Sequence, residues 1–253
     1  MADELLITTP LGFRAAGDER LDLTWTVSKL TGWFERAGVK SERSSRAWGD
    51  GDYSAPSFRE AKLPAFEGLC FSRSGAEQHH FLQMLEAQLG NGEMTRFTVQ
   101  GAAGTTWADA KLDSEPTFEM GLYGRTLRYR ATMYVPSGYR YGDLREYASG
   151  ERAYHRGTAE AVPRFVVTGA MPSGYRIQAG GLTFTVTQAL AAGQTHTIDF
   201  ADGGMVYRNG VLQRGVYAHP RQMWTVPRGI GIVHTLAPIS GTGTLKVQLT
   251  DTY

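Results

Sequence analysis

Gly181-Leu182-Thr183-Phe184-Thr185-Val186-Thr187 alternates an apolar side chain with a threonine at every step after its glycine. A strand turns successive side chains to opposite faces, so this segment reads as antiparallel sheet with one buried face. The same period of two recurs in Ile230, Ile232, His234 and Leu236. It recurs again in Leu245, Val247 and Leu249, set against Thr244, Lys246, Gln248 and Thr250. Turn residues separate these runs at Pro172-Ser173-Gly174, Asp202-Gly203-Gly204, Asn209-Gly210, Pro227-Arg228-Gly229 and Gly241-Thr242-Gly243. Short strands with turn signals between them predict a β-sandwich or jelly roll over residues 157–253, with no helix in it.

The first half is mixed. Leu21, Leu23, Trp25 and Val27 alternate as a strand, and Phe66 to Phe71, Met94 to Val99 and Trp107 to Leu112 are further strand candidates. One helix interrupts them. Ser74-Gly75-Ala76-Glu77 has the form of a capping box, Phe81, Leu82, Leu85 and Leu89 share one helical face, and Gly90-Asn91-Gly92 supplies a stop. Apolar residues sit on even positions at Phe118, Met120 and Leu122 but on odd ones from Leu127 to Val135. That change of phase predicts a hairpin turning across Tyr123-Gly124-Arg125-Thr126. The fold class expected is therefore mainly β with one helix, a sandwich-type domain followed by a second β-sandwich.

A chain of 253 residues has room for two ordinary domains. Its formal net charge of +1 lacks the basic excess of a protein whose main affinity is for nucleic acid. Charge thins sharply near residue 157, with seven basic and four acidic side chains beyond it against 26 and 25 in the whole chain. The boundary is accordingly expected at 156/157, with Glu151-Arg152-Ala153-Tyr154-His155-Arg156 as a connector. The acidic start Met-Ala-Asp-Glu-Leu-Leu shows no secretory pattern, and no apolar run reaches the ~18 residues of a membrane span. Synthesis in a cytoplasm, without a membrane, is the expectation.

Catalytic chemistry is hard to find. The six histidines lack metal-ligand spacing, and adjacent His79 and His80 diverge on a helix. His234 falls on an apolar alternation and reads as a core residue. Cys70, the single cysteine, lies between Leu69 and Phe71 and reads as buried. There is no G-x-S-x-G elbow. Gly101-Ala102-Ala103-Gly104-Thr105-Thr106 lacks the lysine of a phosphate loop and is read as a turn between strands. Asp50 and Asp52 fall short of a calcium loop. No catalytic, cofactor-binding or metal-ligating residue is singled out, and no enzyme is expected. The tyrosine- and arginine-rich stretch from Tyr139 to Arg156 could contact nucleic acid, yet Asp143, Glu146 and Glu151 interrupt it and favour a solvated linker. Residues 36–60 are polar, long and hard to assign, with Trp48 and Tyr53 set among charges. They read as an arm reaching a neighbouring subunit or as a disordered loop.

Three segments of the second half carry a resemblance. They are Gly157-Thr158-Ala159-Glu160-Ala161-Val162-Pro163 leading into Arg164-Phe165-Val166-Val167-Thr168-Gly169, then Gln194-Thr195-His196-Thr197-Ile198-Asp199-Phe200, then Trp224-Thr225-Val226-Pro227-Arg228-Gly229 leading into Ile230-Gly231-Ile232. Their order resembles the C-terminal module of the distal tail proteins of bacteriophages with long, non-contractile tails. The likeness covers residues 157–253 by motif and the first half by architecture.

The resemblance implies a structural protein of the virion, at the tail tip. Residues 1–156 would form a belt that closes a homohexameric ring around a channel. Residues 157–253 would be a galectin-like sandwich outside it. The implied partners are copies of the same chain, the tail-tube protein, the tape-measure protein and a hub or tail-associated protein. DNA would meet the ring only in transit, and no cofactor is implied. A carbohydrate-binding module contacting the host cell wall is the second reading, with Trp224 as a sugar-stacking platform were it exposed.

Overall fold

The computed structural model describes residues 5–17, 25–41, 44–46, 48, 50, 52–53, 56–121 and 126–253, which fall into two compact units, Met1–Arg140 and Tyr141–Tyr253. The division comes earlier than the 156/157 expected from charge density. The strand Tyr141–Ala148 pairs with the C-terminal strand Thr242–Thr252, Tyr147 opposite Val247, and so belongs to the second unit.

In the first unit the strand pairings close on themselves. Thr126–Tyr134 pairs with Ala65–Phe71, which pairs at Cys70 with Trp25–Thr26. From there the path runs through Arg14–Ala16, Leu6–Thr8, Thr95–Gly101 and Gly104–Leu112. It returns to Thr126–Tyr134 at Leu112 opposite Met133, making a barrel and not an open sheet. Arg14–Ala16 and Trp25–Thr26 run parallel, which local pattern does not reveal. Leu21 and Leu23 lie outside the described residues, as does most of the turn over Tyr123-Gly124-Arg125-Thr126. The hairpin itself is present: Phe118 faces Tyr129 and Met120 faces Leu127. Leu127, Tyr129, Ala131, Met133 and Val135 point into the core, as their odd spacing requires, whereas Met120 is exposed on the outermost strand.

The barrel interior is aromatic. Phe13, Trp25, Phe66 and Tyr129 meet at centroid separations of 5.0 to 6.5 Å, mostly tilted or edge-on, the arrangement favoured by ring quadrupoles. Cys70 is fully buried among them, and burial, with Glu77 nearby, pushes its thiol up to about 12. The helix Gly75–Gln88 packs Leu85 and Leu89 into this core, with Phe81 and Leu82 partly buried beside them. Ser74 caps its start by accepting from the Glu77 amide at 3.2 Å. The Glu77 carboxylate reaches the Arg73 amide, one residue further back than a capping box would have it. At the other end the Asn91 amide donates to the Glu86 carbonyl and the Gly90 amide to Ala87, a Schellman closure with Gly90 at φ +96°.

The second unit is a sandwich. Its larger sheet runs Tyr141–Ala148, Thr242–Thr252, Arg164–Ala170, Thr195–Asp199, Met205–Arg208 and Val211–Gln213, all antiparallel. The smaller has Tyr175–Ala179 between Leu182–Val186 and Thr235–Pro238. Phe165, Val167, Ile198, Leu245 and Val247 from the first meet Tyr175, Ile177, Phe184 and Val186 from the second in one core. The alternating set at 230–236 holds only in part. His234 is buried, but Ile230 is exposed just before the short strand Ile232–Val233 begins.

The three quoted segments meet: Arg164–Ala170 pairs with Thr195–Asp199, Phe200 lies edge-on to Trp224 at 5.0 Å, and the first and third also touch directly. Ala161 and Val226 exchange backbone hydrogen bonds of 3.0 and 2.8 Å, and Thr225 donates to the Glu160 carboxylate at 2.6 Å. The stretch around Gly157 lies so close to the last strand that a Cβ there would stand 1.8 Å from the Thr252 carbonyl oxygen. A glycine is required by contact with backbone, not by turn geometry. The expected connector is thus part of the core. Ala153 and His155 are buried, and the His155 ring accepts from the Gly157 amide at 3.1 Å. Asp251, 2% exposed, binds the Arg156 amide at 2.7 Å and pairs with Arg145 at 3.3 Å. The solvated-linker reading of this stretch is overturned, because Glu146 binds Lys246 and Gln248 and Arg145 binds Asp251, all on the last strand.

Two buried histidines add a pH dependence. His196 meets the Tyr175 hydroxyl through Nδ1 at 3.1 Å, and His234 accepts from the Trp224 indole at 3.0 Å. Burial pushes both rings down to about 4, helped at His196 by the facing Arg208. The unfolded chain gains protons below about 6.5, whereas the folded rings refuse them until about 4. Stability is therefore full above that window and falls by about 1.4 kcal/mol per pH unit per ring on descending through it. Thermal melts between pH 7 and 4.5 should show a falling midpoint, and His196→Phe should flatten part of the slope. Urea denaturation should show Gly157→Ala less stable by about 3 kcal/mol, from its clash with backbone. Gly75→Ala, which opens into free space at the helix start, should match or exceed the parent.

Candidate assembly interface

The described residues of the segment 36–60, called the arm below, include two short antiparallel ladders. Val39–Lys40 pairs with Phe58–Arg59, and Ser44–Ser45 with Asp52–Tyr53. Two residues a side cannot bury a face, so the apolar side chains stay in water: Phe58 is 68% exposed and Trp48, near the tip, 94%. Arg46 lies over Tyr53, 5.6 Å from the ring centre. Asp50 and Asp52 are exposed, and no group of three potential metal ligands occurs among the described residues.

At the root of the arm the chain gathers positive charge. Lys62 exchanges backbone hydrogen bonds with Val135 and sends its ammonium to the Trp33 carbonyl at 2.9 Å, leaving the residue only 6% exposed. Arg59 lies over Tyr139 at 4.4 Å and Arg140 over Phe34 at 5.1 Å. Burial first, then the two guanidinium groups, push the Lys62 amine down to about 8, with Glu35 acting the other way. Gly138 makes this packing possible. It holds φ +66°, and a Cβ on it would stand 2.2 Å from the Glu60 carbonyl. Nothing in the sequence marks Lys62, because its partners come from three separate segments.

Elsewhere the side chains singled out in the sequence are structural or solvated. His79 and His80 face water on the helix. Gly101 faces Gly104 at the end of a hairpin, as a turn there requires, with no phosphate-loop geometry. Trp224 is 8% exposed, stacked on His234 and edge-on to Phe200, so it offers no platform to a sugar. A shallow polar hollow is lined by Lys29, Thr31, Glu67 and Arg130, with Lys29 and Glu67 3.5 Å apart. It has no nucleophile beside a base, so its geometry suggests no reaction. No helix among the described residues is long and apolar enough to cross a membrane.

No protein-family model matches the chain. No curated protein sequence matches it either. Solved structures do. The Dit protein (gp 19.1) of phage SPP1, described as a paradigm of the hub adsorption apparatus in phages infecting Gram-positive bacteria, matches with a TM-score of 0.78 and 11% identity, over 98% of this chain and 99% of that one. The phage P2 baseplate in its activated conformation, with Ca and again with Sr, contains a chain matching with a TM-score of 0.54 and 9% identity, over 96% of this chain and 97% of that one. The barrel with the one helix found among the described residues, followed by a two-sheet sandwich, is thus along nearly its whole length the fold of a phage Dit protein.

Proposed function

We propose that this chain is a structural subunit of a bacteriophage tail tip, a distal tail protein whose copies close a homohexameric ring between the tail tube and the hub. The observation that carries this reading is the near-complete coverage, in both directions, of the match to the SPP1 Dit protein. A shared core alone would leave parts of one chain unmatched. The first unit makes the contacts around the ring, and the second is a galectin-like sandwich. Its partners are copies of itself, the tail-tube protein, the tape-measure protein and a hub or tail-associated protein, with DNA only passing through. It is made in the host cytoplasm, resides in the virion, and performs no catalysis.

The physical features agree with that role. A ring needs two different, complementary patches on each subunit. The first unit offers an arm with exposed Trp48 and Phe58 and an outer strand with exposed Met120. The carbohydrate-binding reading loses its best aromatic, since Trp224 is in the core. Native mass spectrometry and class averages from negative-stain images of the purified full chain test the proposal. Six copies around a central hole are expected; a particle that stays solitary at high concentration would sink it.

A further inference from the structure

We propose that Asn91 is a spontaneous modification site, losing its side-chain amide by deamidation, and that the fold shields the second asparagine, Asn209, from the same reaction. The inference is independent of the ring reading. The chain has only these two asparagines, and glycine follows each. A glycine amide reaches the asparagine Cγ with little hindrance, because no side chain stands beside it. The Gly92 nitrogen gives its proton to solvent base and bonds to Cγ of Asn91. The Cγ–Nδ2 bond breaks, and that nitrogen takes up a proton and leaves as ammonia. Water then opens the resulting succinimide at either carbonyl, leaving aspartate or isoaspartate. The net change is water taken up for ammonia released, with nothing oxidised or reduced.

Both pairs are exposed, both asparagines hold the left-handed conformation, at φ +45° and +48°, and both glycines face open space. They differ in restraint. Asn209 is held to Thr195 twice: its amide donates to the Thr195 carbonyl at 2.9 Å, and its Oδ1 accepts from the Thr195 amide at 2.9 Å. Its turn also joins two paired strands, with Arg208 opposite Val211. Cyclisation there must first break these bonds. The Asn91 side chain and the Gly92 amide make no hydrogen bond among the described residues. Only the Asn91 amide is engaged, with the Glu86 carbonyl at 2.8 Å. The product is unfavourable where it forms. A carboxylate at 91 stands at the negative end of the helix dipole, with Glu86 in the last turn and no basic residue there. Isoaspartate adds a backbone atom inside the loop that the Glu93 amide closes on the Gly90 carbonyl at 2.7 Å. That loop leads from Leu89, buried in the barrel core, to the strand Thr95–Gly101, so deamidation loosens the helix end.

Peptide mapping by mass spectrometry tests this on the full chain, aged in mildly alkaline buffer with and without urea. Ageing in heavy-oxygen water labels the new acid and separates it from conversion during digestion. In urea the two sites should convert at comparable rates. In the folded chain Asn91 should convert at least about ten-fold faster than Asn209, the equivalent of one to two net hydrogen bonds. Thermal melts should show the midpoint falling as Asn91 converts. Asn91→Gly, which keeps the left-handed conformation, should hold its midpoint on ageing. Circular dichroism reports whether that variant folds, and the comparison of the two sites in the parent carries the test without it. Equal rates in the folded chain, or Asn209 converting first, would overturn the shielding. An Asn91 that stays intact in the folded chain while the unfolded chain converts would overturn the site itself. An unchanged midpoint after full conversion would overturn the loosening of the helix end.

Discussion

The second unit depends on its last strand being paired along both edges. Thr242–Thr252 runs between Tyr141–Ala148 and Arg164–Ala170, so the final segment of the chain is the middle of a sheet and not its margin. From that strand Asp251 reaches Arg145 and the Arg156 amide, while its neighbour Thr252 lies against Gly157. Leu245, Val247 and Leu249 carry the same strand into the core. Closing such a sheet joins residues a hundred positions apart. The loop-closure entropy must be met before the contacts repay it, so this unit has little partial structure to fall back on.

The first unit solves a different problem. Its strands close into a barrel, which removes most free edges, and the helix packs Leu85 and Leu89 on the aromatic core. What remains unsatisfied is concentrated outside that core. The arm is too narrow to bury Trp48 or Phe58.

Much of the architecture was readable in the residues. Period-2 alternation located Leu182–Val186 and Thr242–Thr252, and the Ser74 cap and Gly90 stop bounded the helix within a residue. These features depend on neighbours a few positions apart, and side-chain spacing records them directly. Tyr141–Ala148 was hidden because its outward face is charged, and charge density assigned it to the first half. Arg145 and Glu146 looked like solvated linker, yet one pairs with Asp251 and the other with Lys246. A charged residue reads alike in sequence whether its partner is water or a carboxylate a hundred residues away.

The same distinction separates what the chain's order of residues determined from what folding decided. The sequence alone specified the mainly β class, the single helix, the glycine and proline turns, and the burial of Cys70 and His234. All of these follow from local spacing and polarity. Closure of the barrel, the parallel pairing of Ala15 with Trp25, the division at Arg140, the need for glycine at 157 and the gathering of Lys62 with Arg59 and Arg140 came only from the tertiary structure. Each is a meeting of segments distant along the chain, and no local preference encodes which of them will meet.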